Sequence, residues 1–334
     1  MSAVGLLSVR DLAVAFRTRD GVARAVDGVS FDVAEREILG IVGESGSGKS
    51  LTVLAILDLI GDPNAIVSGS IRFRGAELVG QSPDVLRRLR GGAIAMIFQD
   101  PMTALTPVHT IGAQIMEQIR IHTGLSRHGA RARAVELLDA VGLPDPARAA
   151  GRYPQELSGG QRQRAVIAMA LSCNPALLLA DEPTTALDVT VQAQILDLIR
   201  RLRDDFGSAV ILITHNLGVV AETADRVAVM YSGRIIETAS TAALFADPRH
   251  PYTWGLLGSM PELGGARRAR LATIPGLPPA LDRRPKGCAF APRCGFARAE
   301  CAVRPPLIGE AGHRAACIIP AAERAGARDQ ALAA

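Results

Sequence analysis

Lysine is almost missing from this chain: of the 37 Lys and Arg residues among 334, only Lys49 and Lys286 are lysine. Where any surface cation would serve, the sequence uses arginine, so a retained lysine marks a place where a compact, rotatable ammonium is needed and a planar guanidinium does not fit. Long apolar runs are lacking as well. No uninterrupted stretch reaches the roughly 20 residues of a membrane span, and no signal peptide opens the sequence. The expectation is a cytosolic protein, tethered to a membrane only through a partner. Strong charge of one sign is also absent. A net +4 is small for this length and gives no argument for nucleic acid as a partner. Arg87-Arg88, Arg200-Arg201 and Arg267-Arg268 read as solvated faces of an arginine-rich composition. Internal repeats are missing too. What is plentiful is apolar residue content, 48%, ample for one large α/β domain and a smaller appendage.

Lys49 falls in Gly43-Glu44-Ser45-Gly46-Ser47-Gly48-Lys49-Ser50, which fits the pattern G-x-x-x-x-G-K-[ST]. Glycines in that pattern let successive backbone N–H groups curl around a polyphosphate. Ile38-Leu39-Gly40-Ile41-Val42 before it reads as a buried parallel strand, and Ser50-Leu51-Thr52-Val53-Leu54-Ala55-Ile56-Leu57 after it as a helix whose N-terminus faces the phosphates. Lys49 would bridge the β- and γ-phosphates and the Ser50 hydroxyl would ligate Mg²⁺. The plain alternative is a Gly-rich turn between a strand and a helix.

Four further apolar runs read as buried strands: Ile94-Ala95-Met96-Ile97-Phe98, Leu177-Leu178-Leu179-Ala180, Val210-Ile211-Leu212-Ile213-Thr214 and Val227-Ala228-Val229-Met230-Tyr231. Their alternation with helical patterns predicts an α/β fold with a parallel-sheet core. Leu7 to Phe16 and Val26 to Val33 alternate apolar and polar residues, as half-exposed antiparallel strands do. Thr110 to Val141 reads as a helical insertion. Asp181 and Glu182 end one apolar run; beside a phosphate loop Asp181 is placed to hold Mg²⁺ and Glu182 to position or deprotonate the attacking water. Alone, the pair could be a cap leading into Pro183.

Leu157-Ser158-Gly159-Gly160-Gln161 opens another helix, and a helix N-terminus favours an anion. The pentapeptide resembles the signature motif of ABC-type ATPases. That resemblance implies ATP held between the Lys49 loop of one subunit and the signature loop of a second. Phe98-Gln99-Asp100 resembles the Q-loop, with Gln99 on Mg²⁺; Ala186-Leu187-Asp188 the D-loop; Thr214-His215 the switch histidine, aimed at the γ-phosphate. Phe16 would stack on adenine, against the plainer reading of a core aromatic. The ATP-contacting set so implied is Phe16, Gly43 to Leu51, Gln99, Ser158, Gly159, Gly160, Gln161 and Asp188, with Ser50, Gln99 and Asp181 on Mg²⁺ and with Lys49, Gln99, Glu182 and His215 as catalytic residues. The expected architecture is a P-loop NTPase ABC ATPase domain over residues 6–250, made of the parallel-sheet core, an antiparallel β subdomain and a helical subdomain at about 100–165.

Gly40-Ile41-Val42-Gly43-Glu44-Ser45, the run from Asp181 to Gln192 and His250-Pro251-Tyr252-Thr253 look like the dipeptide/oligopeptide/nickel importer branch. The sequence departs from that branch where Asn216 follows the histidine, where Gln161 stands for Met, and at Ala104 and Thr106. None of these removes a catalytic group. The branch implies an ATP-hydrolysing importer subunit at the cytoplasmic face of the membrane, working with transmembrane permease subunits, a second ABC ATPase subunit as a heterodimer, and an extracytoplasmic substrate-binding protein. Dipeptide, oligopeptide, nickel and glutathione-type cargoes stay open. A soluble ABC ATPase of translation or DNA repair is the rival from another class, but those carry two motors or long coiled-coil or zinc insertions, which this chain does not show.

Four of the five cysteines lie at Cys288, Cys294, Cys301 and Cys317, spaced C-x5-C-x6-C-x15-C. A cytosolic protein does not ordinarily hold them as disulfides. Four thiolates in a loop-rich extension, residues 251–320, suit a metal that supplies folding energy. The gaps exceed those usual for zinc and suit a 4Fe-4S cluster; zinc, or unligated thiols, are the alternatives, and a redox sensor is the third functional reading. Cys173 reads as a buried small hydrophobe. Residues 321–334 read as a disordered tail.

Overall fold

The computed structural model describes residues 5–19, 21–100, 104–185, 188–260, 274–310 and 312–333. They form two compact units, each discontinuous in sequence.

The first unit takes in the described residues of Met1–Leu7, Val33–Ile38 and Arg74–Ile213. Its strands Ile94–Ile97, Leu177–Asp181 and Ala209–Thr214 run parallel, with Ile94 opposite Leu177 and Leu177 opposite Ala209. Every residue of the last two is buried. Strands of a parallel sheet have no solvent face, which is why these segments are apolar throughout rather than alternating. Helices Ile111–Thr123 and Arg127–Ala140 pack on each other and on Gly159–Ala170. The first two start on hydroxyl caps: Thr110 Oγ1 accepts from the Ala113 N–H and Ser126 Oγ from the Gly129 N–H. The expected helical insertion is therefore present, bounded by cap residues that its sequence supplies.

The second unit comprises Ser8–Asp32, Leu39–Phe73 and Thr214–Ala334. Strand Ile38–Val42 runs parallel to Arg226–Tyr231, with Gly40 opposite Val227. Arg226–Tyr231 turns back into Arg234–Ser240 through Ser232 and Gly233, both at positive φ, as the tightest antiparallel hairpins require. Arg234–Ser240 pairs antiparallel with His313–Ala315, and that strand with Ile308–Glu310. The C-terminal extension is thus more than loops: it adds two strands to the sheet that carries the phosphate-loop strand. Leu7–Thr18 lies between Gly21–Val33 and Ala65–Phe73 in a separate sheet.

Aromatic bulk in the second unit gathers at Tyr231, Tyr252 and Trp254, all fully buried. The polar ends are satisfied: Trp254 Nε1 donates to the Pro248 carbonyl at 2.7 Å. Glu237 is fully buried and accepts from the backbone N–H groups of Arg249 and His250 and from the Thr253 hydroxyl, with His313 Nε2 at 2.8 Å. One carboxylate so ties three segments of the unit together.

The C-terminal tail does not follow expectation. Ala321–Ala333 is a helix packed on Pro251–Gly258. Ala, Arg and Glu are strong helix formers. Ion pairs of Arg298 with Glu323 and of Arg328 with Asp247 fasten it. A small, polar composition looked disordered because its apolar partner surface lies some seventy residues upstream.

Candidate functional site

In the second unit the loop after Ile38–Val42 is shaped by glycine at two places. Gly43 has φ 153°, and a Cβ there would stand 2.2 Å from the Met230 carbonyl oxygen. Gly48 has φ 96°, and a Cβ on it would lie 2.9 Å from the Ala25 carbonyl oxygen. Both positions exclude a side chain on conformation and on space. Lys49, buried to 5% exposure, begins helix Lys49–Ile56 and donates from Nζ to the Gly43 carbonyl at 2.7 Å and the Glu44 carbonyl at 3.0 Å. The ammonium is thereby folded over the loop it serves. Ser47, also buried, passes its carbonyl to the Gly233 N–H, which fastens the loop to the hairpin turn. Ser45 and Gly46 are exposed, Glu44, Ser50 and Leu51 half-buried. A loop with no Cβ at its tight points, a cationic tip and a helix start matches the chemistry of a polyphosphate and its Mg²⁺.

Phe16 sits half-buried in Leu7–Thr18. His215 follows strand Ala209–Thr214 and is exposed. Asn216, the departure after the histidine, caps helix Leu217–Thr223: its Oδ1 accepts from the Gly218 N–H at 2.9 Å. Asn caps as well as Asp does, so the local turn is kept.

The first unit holds the expected acidic residues. Asp181 ends its strand buried, 5% exposed. Glu182, next in the chain, stands at φ 47°, a conformation costly for a residue with a Cβ, and its N–H donates to the Ile213 carbonyl. Its carboxylate accepts from the Thr185 hydroxyl at 2.9 Å and lies 3.5 Å from Gln99 Nε2. Strain at one residue thus aims one carboxylate. Gln99 lies just beyond strand Ile94–Ile97 and is exposed.

Helix Gly159–Ala170 opens on a reciprocal cap: the Gln161 N–H donates to Ser158 Oγ and the Ser158 N–H to Gln161 Oε1. Gln161 is therefore engaged in holding the loop. Gln163, buried, donates to the Pro183 carbonyl at 2.7 Å and links this helix to the Asp181-Glu182 turn. Gly160 packs against Val191, where a Cβ would come within 3.3 Å. Asp188 caps helix Val189–Phe206 by accepting from the Val191 N–H at 2.9 Å, which occupies one of its oxygens locally; Ala186 and Leu187 of the expected D-loop lie outside the described residues.

The four C-terminal cysteines are free thiols that line one small cavity with His250, Phe290 and Phe296. Burial raises the Cys288, Cys294 and Cys317 thiols above their ordinary range, and the neighbouring cysteines push the same way; Cys294 reaches about 11. Among the described residues no group of three or more His, Cys, Asp or Glu is close enough to hold a metal ion. The donor set fits a thiolate-bound group in kind, while its spacing is not that of one ion.

Sequence reading missed the residues that support the loop from behind. Tyr252 Oη accepts from the Glu44 N–H at 2.8 Å, and Arg293 grips the Glu44 carboxylate with both terminal nitrogens, at 2.6 and 3.0 Å. Tyr252 lies in a segment that the sequence marks only as a family string. Arg293 is one arginine among many, with no local signal at all.

Comparison with known proteins accords with this geometry. Residues 26–185 match the family model described as ABC transporter, and residues 236–301 match the oligopeptide/dipeptide transporter C-terminal region. A probable peptide ABC transporter ATP-binding protein of Sinorhizobium fredii is 54% identical over 315 residues, covering 93% of this chain and 94% of that one. A putative peptide import ATP-binding protein of Brucella melitensis biotype 1 is 53% identical over 325 residues, 94% and 96% of the two chains. Among solved structures, a dimeric ATP-binding cassette in a post-hydrolysis state with ADP and Pi aligns with TM-score 0.64 at 28% identity, over 70% of this chain and 98% of that one. The chain belongs to the ABC transporter family, among the ATP-binding proteins that carry the oligopeptide/dipeptide transporter C-terminal region.

Proposed function

We propose that this chain is the ATP-hydrolysing motor subunit of a membrane importer for peptides. One observation carries the reading: a glycine-shaped loop capped by a buried lysine is built into the same compact unit as a C-terminal region of the oligopeptide/dipeptide transporter type. Bound ATP with Mg²⁺ supplies the phosphoryl group to be cut and the charge that offsets its oxygens; Lys49, Ser50, Gln99 and Asp181 are the residues to hold them. Lys49 leaves the Gly43 and Glu44 carbonyls and turns its ammonium to the phosphates. Glu182 takes a proton from the attacking water, and its left-handed backbone keeps the carboxylate at one angle while it does so. His215 senses the terminal phosphate. Ser158, Gly159, Gly160, Gln161 and Asp188 face the nucleotide of a second motor subunit, and Phe16 stacks on adenine.

None of the described helices is long and apolar enough to cross a membrane. Likeness to peptide ABC transporter ATP-binding proteins supports permease subunits as partners, with the motor on their cytoplasmic face and a binding protein delivering peptide from outside. The two motors are paralogues rather than copies. Residues 251–320 form the extension, and its four cysteines, which line one cavity and are spaced more widely than the pairs usual for zinc, are the residues that would hold an iron–sulfur cluster.

Phosphate release by the purified chain tests the motor. Glu182→Gln is expected to retain ATP binding and to lose turnover by about 10²- to 10⁴-fold; wild-type turnover in this variant rules the assignment out. Anaerobic purification with iron and sulfide analysis, set against Cys294→Ser, tests the cluster. Iron and sulfide lost in the variant support it, and one zinc or no metal overturns it.

A further inference from the structure

We propose that Arg293, in the cysteine-bearing extension, is a positioning residue of the phosphate loop, acting through Glu44 to hold the loop's first turn and to neutralise a carboxylate that would otherwise oppose an anionic nucleotide. The proposal rests on the ATPase reading above. Glu44 is an anomaly in its place. It puts a negative charge into a loop shaped to cradle negative phosphates, and like charges in one site repel.

The structure answers that charge with a two-pronged guanidinium. Arg293 Nη1 donates to Glu44 Oε2 at 2.6 Å and Nη2 to Oε1 at 3.0 Å, the paired geometry that makes arginine–carboxylate contacts strong and directional. The guanidinium is itself fixed from behind. Nε donates to the Pro275 carbonyl at 2.8 Å, Nη2 to the Ile274 carbonyl at 3.3 Å, and Nη1 lies 3.3 Å from the Tyr231 hydroxyl. Arg293 is 4% exposed at its side chain, Glu44 28%, so solvent screens the contact weakly. The ion pair with Glu44 holds Arg293 firmly in its charged form.

The same turn is pinned by its backbone. The Glu44 N–H donates to Tyr252 Oη, and the Gly43 and Glu44 carbonyls accept from Lys49 Nζ. When Lys49 turns to phosphate the Gly43 carbonyl loses that donor and the Glu44 carbonyl keeps the Ser47 N–H at 3.2 Å, so Tyr252 and Arg293 take a larger share in holding the turn. Both belong to the extension. Arg293 is therefore a determinant of nucleotide affinity, not of the chemical step.

Titration of the full-length chain with fluorescent mant-ATP, beside phosphate release at saturating ATP, tests this. Arg293→Met is expected to weaken mant-ATP binding about tenfold, with kcat within about twofold of wild type once ATP saturates. Because the damage is an uncompensated Glu44, the double variant Glu44→Gln/Arg293→Met is expected to bind within about twofold of Glu44→Gln alone. Arg293→Met binding like wild type, or a double variant as weak as Arg293→Met, overturns the proposal, since a merely structural loss is not relieved by removing the Glu44 charge. Should Arg293→Met fail to fold, Arg293→Lys carries the test: it keeps the charge without the two-pronged contact, so about a threefold loss is expected and wild-type affinity overturns the idea. Wild-type protein that does not bind mant-ATP, or binds it equally as Lys49→Ala, sinks the ATPase reading instead.

Discussion

Single residues in this chain are held to tolerances that a conservative substitution exceeds. Gly43→Ala puts a methyl group 2.2 Å from the Met230 carbonyl oxygen, closer than any real Cβ contact, so the loop must open. The expected outcome is a folded protein with mant-ATP binding reduced to the level of Lys49→Ala; binding within twofold of wild type would show that the loop gives way cheaply. His250 is a second case. It is fully buried, its Nδ1 accepts from the Tyr252 N–H at 3.0 Å, and burial holds its pKa down to about 4 against Glu237, which pulls the other way. A folded pKa below the unfolded value of about 6.5 means that the stability it brings is fully present above pH 6.5 and is lost as pH falls towards 4, a difference on the order of 3 kcal/mol. Urea midpoints should fall between pH 7 and pH 5 in the wild type. His250→Asn, which keeps an acceptor for the Tyr252 N–H and cannot titrate, should flatten that slope, and an unchanged slope refutes the assignment.

Elements show how far the sequence can be read. Buried parallel strands were legible to within a residue at each end: Leu177–Asp181 and Ala209–Thr214 are apolar runs because both faces are covered, and that signal is local. The helical insertion was legible as a helical stretch from Thr110 to Val141, and the structure divides it into two helices that start on Thr110 and Ser126. The phosphate loop was legible because its glycines have a conformational reason to be there. Strand His313–Ala315 was not, since three residues carry no periodicity and their partner Arg234–Ser240 lies far upstream. Arg293 was illegible for the same reason: its contact with Glu44 spans 249 positions. Short elements also lean heavily on their caps. Helix Leu217–Thr223 has seven residues and starts on Asn216. Asn216→Ala is expected to cost about 1 kcal/mol of stability, read by chemical denaturation; no loss would mean that tertiary packing alone sets that helix.

At the scale of the whole molecule, the boundary drawn near residue 250 separates names more than bodies. Tyr252, Arg293 and His313–Ala315 all lie beyond it, and all act on the unit that contains the phosphate loop. A chain cut at residue 250 is expected to be largely insoluble and to bind no mant-ATP, whereas deletion of Ala321–Ala333 alone should leave a soluble, ATP-binding protein of lower melting temperature. A soluble, nucleotide-binding 1–250 fragment would show the motor to be independent.

The pairing of Arg234–Ser240 with His313–Ala315 also sets a clock. A ribosome releases Ser240 well before His313, and at about 5–20 residues per second the interval is roughly 4–15 s. Through that interval one edge of the nascent sheet has unpaired N–H and C=O groups, the template on which strands of other chains add. Yield of this protein should therefore respond to translation speed and to holdase chaperones, with its vulnerable moment set by when the last strands leave the exit tunnel.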